Sequence, residues 1–475
     1  MKTKPIPILV FISLICALAG FLGAQPPAHT LNDPTRPIYH LVSQDKRSHI
    51  ADPNFAFYWK GRYHLYFIAA RNPVTKERNF AHVSSTDMVN WKYHRETNFG
   101  GLSGTLFLSP DGVPTIIGKA SKQITLHRPL DDQLEHWELL TEVVPTFGPG
   151  QDGKRMSEKH WDPDAWVEGN TTYILITAHP LSPKGQPALF KTTDMKTFHF
   201  VDYFLDVDVP GVARTSDIKT NDDLSCPSFF PIGNKWMMLC ISHNKGCRYY
   251  LGDWRDEKFI PDYHGWMNWR KGDVDSKYGH GGDVFAPESL LAPDGRRVMW
   301  AWLFAQSKVR VSPNWQEVLS LPRELSLPED GVLRIQPLHE LEQLRYNLKT
   351  ERNIRVQAGT PYRLKKISGD AMELMLTIRQ GEAKRYGVKI LSDSTNGKGL
   401  DVVVHPKAKI LQVGVTRAPL ELKEKEEIQL RIFIDRSVVE VFANDRQAVA
   451  WQHTFHSQSQ NALWVFTLED FFFCT

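Results

Sequence analysis

Cysteine is scarce, with five in 475 residues. Cys16 lies in the N-terminal apolar run, which leaves Cys226, Cys240, Cys247 and Cys474. Four thiols in so long a chain exclude a disulfide scaffold, so packing must hold the fold. Cys226, Cys240, His243 and Cys247 lie close in sequence, but paired CxxC spacing is missing and the segment reads as strands. Buried thiols or a single Cys240–Cys247 bridge are expected there rather than zinc. Charge of one sign is missing too: 57 basic residues face 54 acidic ones, a net +3 that includes Lys2 and Lys4. That balance offers no footprint for nucleic acid or an anionic membrane. No glycine-rich, phosphate-cradling loop occurs, and no cofactor or metal is expected. Long apolar runs are absent after residue 22. The one run, residues 6–22, follows two lysines and ends at Gly23-Ala24-Gln25. This is the pattern of a signal peptide, residues 1–24, cleaved after Ala24. An uncleaved anchor is the competing use, near the short limit for a span. The expected location is secreted or periplasmic, with no membrane contact beyond that peptide.

What is present is a hydrophobic content of 41% with 11% aromatics, in short runs punctuated by glycine. A chain of this size can bury a large core and suits two domains. A turn followed by a strand recurs at Gly61, Gly112, Gly169, Gly233 and Gly295, as in Lys60-Gly61-Arg62-Tyr63-His64-Leu65 and Asp294-Gly295-Arg296-Arg297-Val298-Met299. Each turn is preceded by a second apolar stretch, which makes a hairpin. A second motif follows three of the hairpins, a polar turn ending on an aromatic: Ser85-Thr86-Asp87 to Trp91, Leu134 to Trp137, and Thr193-Asp194 to Phe198. It opens a further strand and completes a four-stranded unit. Five such sheets bury one another when arranged radially, as a five-bladed β-propeller. A generic β-sandwich with accidental spacing is the alternative.

The first strand of each propeller blade lines the central channel, so the residues ahead of each hairpin converge near the axis. They are Asp52-Pro53-Asn54, Ser103-Gly104, Trp161-Asp162-Pro163-Asp164, Ser225-Cys226-Pro227 and Ala286-Pro287-Glu288. Counted back from the turn glycine, Glu288 falls nearly in the slot of Ser225. Three blades therefore bring a carboxylate (Asp52, Asp162, Glu288) to the mouth. Carboxylates gathered in one cavity repel each other, which separates an acid from a base or nucleophile. That is glycosidase chemistry. Calcium binding fits less well, because the dense Asp/Asn alternation of an oxygen cage is missing. Asp-Pro also forms turns, but two such pairs at matching positions beside aromatics exceed that role.

These residues resemble glycoside hydrolase family 32, the invertases, levanases and inulinases. The opening His49-Ile50-Ala51-Asp52-Pro53-Asn54, the stretch Ala81-His82 through Asp87 to Trp91, Ser103-Gly104, Asp162-Pro163 and Cys226-Pro227 match its motifs in order. Leu319-Ser320-Leu321-Pro322-Arg323-Glu324-Leu325 is similar to the sequence closing its propeller. Arg431 to Asn444, RIFIDRSVVEVFAN, is similar to a signature of its C-terminal sandwich. The resemblance implies retaining hydrolysis of β-fructofuranosyl bonds in fructans or sucrose, an oligo- or polysaccharide substrate, Asp52 as nucleophile and Asp162 as transition-state stabiliser. Asn54, Ser103, Trp161 and Ser225 are expected to line the substrate. His82 and Asp87 are read as structural.

Three departures matter. The family's acid/base glutamate before Cys-Pro is Ser225, whose hydroxyl cannot act as a general acid near neutral pH. The arginine before the second aspartate is Trp161, and the residue after Asp-Pro-Asn is Phe55 rather than glycine. Glu288 is the candidate acid/base, with Asp223 and Glu158 as other donors. Salt-bridging to an arginine near the axis is the plain structural role for Glu288. The alternatives to a fructosidase are a catalytically inactive fructan-binding protein and an inverting five-bladed glycosidase acting on pentosans. The expected organisation is an all-β chain: propeller over residues 35–327, a linker with a short helical pattern over 328–345, and a β-sandwich over 346–475, where strands alternate in polarity.

Overall fold

The computed structural model describes residues 6–13, 33–42, 50–71, 78–94, 97, 103–146, 160–178, 187–205, 224–243, 246–267, 269, 284–303, 317–379, 383–395, 397–452 and 461–468. It is almost wholly β. Blades one to four are four-stranded antiparallel sheets whose innermost strands are Pro53–Trp59, Ser103–Leu108, His160–Glu168 and Ser225–Ile232. Blade five is built on Val284–Leu291 and Arg297–Leu303, with the short strand Val318–Leu319 beside them. Inner strands pack one against the next around the ring, and that of blade five returns to that of blade one. Each sheet buries both faces only because its neighbours cover them.

The polar-turn motif works as expected. Asp87 accepts hydrogen bonds from the Val89 and Asn90 amides at 3.0 and 2.7 Å, and Asp194 does the same for Lys196 and Thr197, both at 2.8 Å. Met88 and Met195, at φ +57° and +58°, then turn the chain into the outer strand. His82 is structural as well: it stacks on Tyr66 and His94 with centroids 4.1 and 4.2 Å away and bonds His64 at 2.9 Å.

The segment read as a connector divides in two. Arg334–Pro337 pairs with Arg323–Ser326 as the outermost strand of blade five. A 3-10 helix over His339–Leu344 follows. Beyond it lie two six-stranded sheets with a common apolar core. The backbone of Ile6–Ser13, inside the expected leader, lies antiparallel between Lys349–Val356 and Ala371–Ile378. Cys240 and Cys247 are buried, unbridged thiols on neighbouring strands.

Propeller and sandwich meet in a buried charge cluster. Asp435 accepts the amides of Ile38, Tyr39 and His40 at 2.6–2.9 Å and the His40 Nδ1 at 2.8 Å. Glu440 accepts the Leu321 amide at 2.7 Å, the Arg323 guanidinium at 2.5 Å and faces His40 Nε2 at 3.2 Å. All four side chains are fully enclosed.

Candidate active site

Four of the five inner strands carry an X–Pro pair at their channel end, and each breaks register there. The breaks fall between Pro53 and Phe55, Trp161 and Pro163, Ser225 and Ser228, and Phe285 and Glu288. Proline cannot donate to the ladder, so the strand bulges and re-aims its side chains. Cys226 and Ala286, each before a proline, sit at φ +46° and +43°, a strained conformation that structures retain where a site needs it.

Aligned on these X–Pro pairs, Asp52, Asp162, Cys226 and Ala286 hold equivalent positions at the mouth. Asn54, Asp164, Ser228 and Glu288 form the layer beneath. The contacts agree. Asp162 accepts the Cys226 amide at 3.0 Å, and Asp164 accepts the Phe229 amide at 2.7 Å. Ser228 bonds Ser289 at 2.9 Å. The charged groups that act on Glu288 are Asp164 and Arg297 of this lower layer. Glu288 therefore matches Ser228 rather than Ser225, because counting to the turn glycine ignores residues inserted by the bulges.

The electrostatics of the lower layer follow from burial. Glu288 is 5% and Asp164 4% exposed. Desolvation, then the Asp164 charge, push Glu288 well above the usual carboxylate range, opposed by the Ser289 amide and Arg297. Desolvation lifts Asp164 to about 7 against the Phe229 and Ala165 amides and Arg297. The partly exposed Arg297 is itself lowered to about 10 by desolvation of its guanidinium, opposed by both carboxyls, and lies 4.1 Å over the Phe230 ring. Glu288, Asp164 and Arg297 thus influence one another's charge within this layer.

At the mouth, the Ile68 amide donates to the Asp52 carbonyl at 2.9 Å, and Asn54 donates to the same carbonyl at 3.0 Å. Asn54 thus holds the backbone of Asp52, not its carboxyl. Asp52 remains partly exposed. Ser103 is also partly exposed, opposite Lys119; at Gly104 a Cβ would collide with the Ile117 carbonyl, so only glycine fits. Ser225 is fully buried. The Trp161 side chain, Glu158 and Asp223 lie outside the described residues. Trp166 and Phe229 pack together at 4.9 Å between blades three and four rather than facing a ligand.

Sequence reasoning missed Asp164, Arg297 and Glu317. Alternation from Asp162 marks the first, and Arg297 opens the strand after a turn glycine. Glu317 stands two residues before the Leu-Ser-Leu-Pro-Arg block, partly exposed at the end of blade five. Desolvation first and the Asp52 charge second push it up to about 8, with the Trp302 indole N–H acting the other way.

Comparison with known proteins agrees with this architecture. The chain is 28% identical to a raffinose invertase of Escherichia coli, over 87% of this chain and 88% of that protein. It shares the fold of fructan 1-exohydrolase IIa from Cichorium intybus, with TM-score 0.73 and 18% identity over 92% of this chain and 95% of the other. A family 32 β-fructofuranosidase of Bombyx mori solved with sucrose gives TM-score 0.68 and 17% identity over 91% of each chain. The model of the glycosyl hydrolases family 32 N-terminal domain matches residues 40–337, and that of the family 32 C-terminal domain matches residues 340–467. With both modules matched in order, the chain belongs to glycosyl hydrolase family 32.

Proposed function

We propose that this protein hydrolyses β-fructofuranosyl bonds of sucrose or fructans with retention, and that it acts outside the cytoplasm. The observation that carries the reading is the bulged mouth. Asp52 and Asp162 occupy equivalent X–Pro positions of blades one and three. Asp52 is anchored through its backbone carbonyl and is partly exposed at the mouth, where a nucleophile must stand to reach the anomeric carbon. Asp162 is buried and tied to the Cys226 amide, which suits a carboxylate that stabilises an oxocarbenium-like transition state without joining it. A general acid must protonate the departing oxygen, and burial holds both Glu288 and Glu317 in the neutral form. The names of the relatives support sucrose- or fructan-type substrates.

The test is release of fructose from sucrose, raffinose, levan and inulin, with arabinan as the pentosan control. In aqueous methanol a retaining enzyme yields the methyl β-fructofuranoside, whereas the α-anomer means inversion. Release from arabinan alone overturns the reading. The buried Ser225 in the acid position favours a second reading, a silent fructan-binding protein; affinity for levan or inulin without turnover identifies it. Export rests on the leader pattern of residues 1–24. Secreted protein beginning at Gln25 supports it; an intact N-terminus with Ile6–Ser13 protected in the sandwich sheet overturns it.

A further inference from the structure

We propose that Glu317 is the proton donor and acceptor of this site, standing in for the carboxyl that is missing at Ser225. The assignment rests on the fructosidase reading above. Glu317 directly precedes Val318–Leu319, a strand stitched on both sides. Leu319 and Val318 pair with Trp302 and Leu303, Val318 bridges Val42, and the Leu319 amide donates to the Leu41 carbonyl at 3.1 Å. The ring closes here, between blade five and the chain entering blade one. Trp302 packs against the cluster that contains Ala51 and Phe55, on either side of Asp52. The Glu317 carboxyl therefore stands at the seam where Asp52 emerges, senses its charge, and meets the Trp302 indole.

Accessibility separates the two candidate donors. Glu317 and Asp52 are both partly exposed, whereas Glu288 lies beneath the mouth with Asp164 and Arg297. A retaining reaction needs its two carboxyls close together, about 5–5.5 Å apart, and the Asp52 charge reaches Glu317. A mostly desolvated carboxyl beside a carboxylate also keeps its proton near neutral pH, the state in which a general acid is useful. The steps balance. The Asp52 carboxylate forms a bond to the anomeric carbon, the glycosidic C–O bond breaks toward its oxygen, and that oxygen takes the proton of Glu317. The Glu317 carboxylate then removes a proton from the attacking water, Asp52 leaves as a carboxylate, and both groups return to their starting forms.

The experiment compares wild type, Glu317→Gln, Glu317→Ala, Glu288→Gln and Glu288→Ala on sucrose and on a nitrophenyl β-fructofuranoside, whose leaving group needs no proton. Loss of about 10²–10⁴-fold in kcat/KM on sucrose is expected for Glu317→Gln, with a much smaller loss on the nitrophenyl substrate. Azide should rescue Glu317→Ala and yield fructosyl azide, which a structural defect would not do. Glu288→Gln should lower both substrates alike and show no azide product. Should the Glu317 variants fail to fold, wild type carries the same test: kcat/KM falls above about pH 8 for sucrose and not for the nitrophenyl substrate. An active wild type with unchanged Glu317→Gln, with azide rescue at Glu288→Ala instead, or with parallel alkaline limbs overturns this assignment alone. A wild type that releases fructose from neither substrate overturns the fructosidase reading and this assignment with it.

Discussion

Two clusters of buried carboxyls in this molecule have opposite character. At the seam between propeller and sandwich, burial opposes the charge of Glu440, yet Arg323, His40 and the Leu321 amide outweigh it and hold the carboxyl at about 2. His40 is likewise opposed by burial and is raised to about 9 by its bonds to Asp435 and Glu440. At the channel, Glu317, Glu288 and Asp164 are desolvated with too few partners, and all three move up. Burial has the same sign in both places. What differs is compensation: paired charges fasten two domains, and undercompensated ones keep protons available for chemistry.

The sharpest way to break this contrast is to remove one carboxyl from each cluster. Asp52→Asn should abolish turnover, by on the order of 10⁶-fold in kcat, the scale seen when a covalent nucleophile is lost. Its melting temperature should hold or rise, because a carboxylate that raises its neighbour's pKa is relieved. A variant that stays active, or that melts well below wild type, contradicts the division. Glu440→Ala should do the reverse, costing about 3–5 kcal/mol in urea unfolding by leaving Arg323 buried without its anion and His40 with Asp435 alone. Its folded fraction should keep wild-type kcat. A loss of under about 1 kcal/mol would show that the seam is not held by these charges.

The same contrast explains what was legible in the sequence. The blades were readable because each needs a hairpin glycine and an Asx turn, local features with local signals. The long blocks at Leu319 and Arg431 mark the seam rather than the site: their Arg323, Asp435 and Glu440 are its members. Asp52 and Asp162 stand out in the sequence as candidates because proline sits beside them. Glu288 was given the wrong slot, since bulges insert residues that counting cannot see. Glu317 was invisible because only ring closure brings residue 317 to residue 52, and no spacing in the chain records that.

A smaller effect sharpens the comparison through pH. Glu440 is lowered from 4.5, so its contribution to stability is complete above about 4.5 and fades as pH falls toward 2. His40 is raised from 6.5, so its contribution is complete below about 6.5 and fades as pH rises through 9. Glu317 is raised from 4.5 to about 8, so the folded state binds more protons than the unfolded chain and stability declines across that interval. The seam is thus strongest between about pH 4.5 and 6.5, and the mouth weakens the fold progressively from about pH 4.5 to 8. Urea midpoints against pH should show Glu317→Gln flattening the decline between pH 5 and 8, while Glu440→Gln flattens the acid side. Identical slopes in wild type and Glu317→Gln would contradict the raised titration.

The smallest expected effect lies in the indole above Glu317. The Trp302 N–H favours the ionised carboxylate and so restrains a pKa that burial and Asp52 push upward. Trp302→Phe keeps a ring against Ala51 and Phe55 but removes the donor. The carboxyl should then hold its proton to higher pH, moving the alkaline limb of kcat/KM on sucrose upward by a fraction of a unit, with the acid limb fixed. A downward shift would mean that the ring, not its N–H, sets the titration of Glu317, because loss of packing admits water and water favours the charged form. The direction of this one shift therefore separates compensation by a hydrogen bond from exclusion of solvent, the two quantities that distinguish the mouth from the seam.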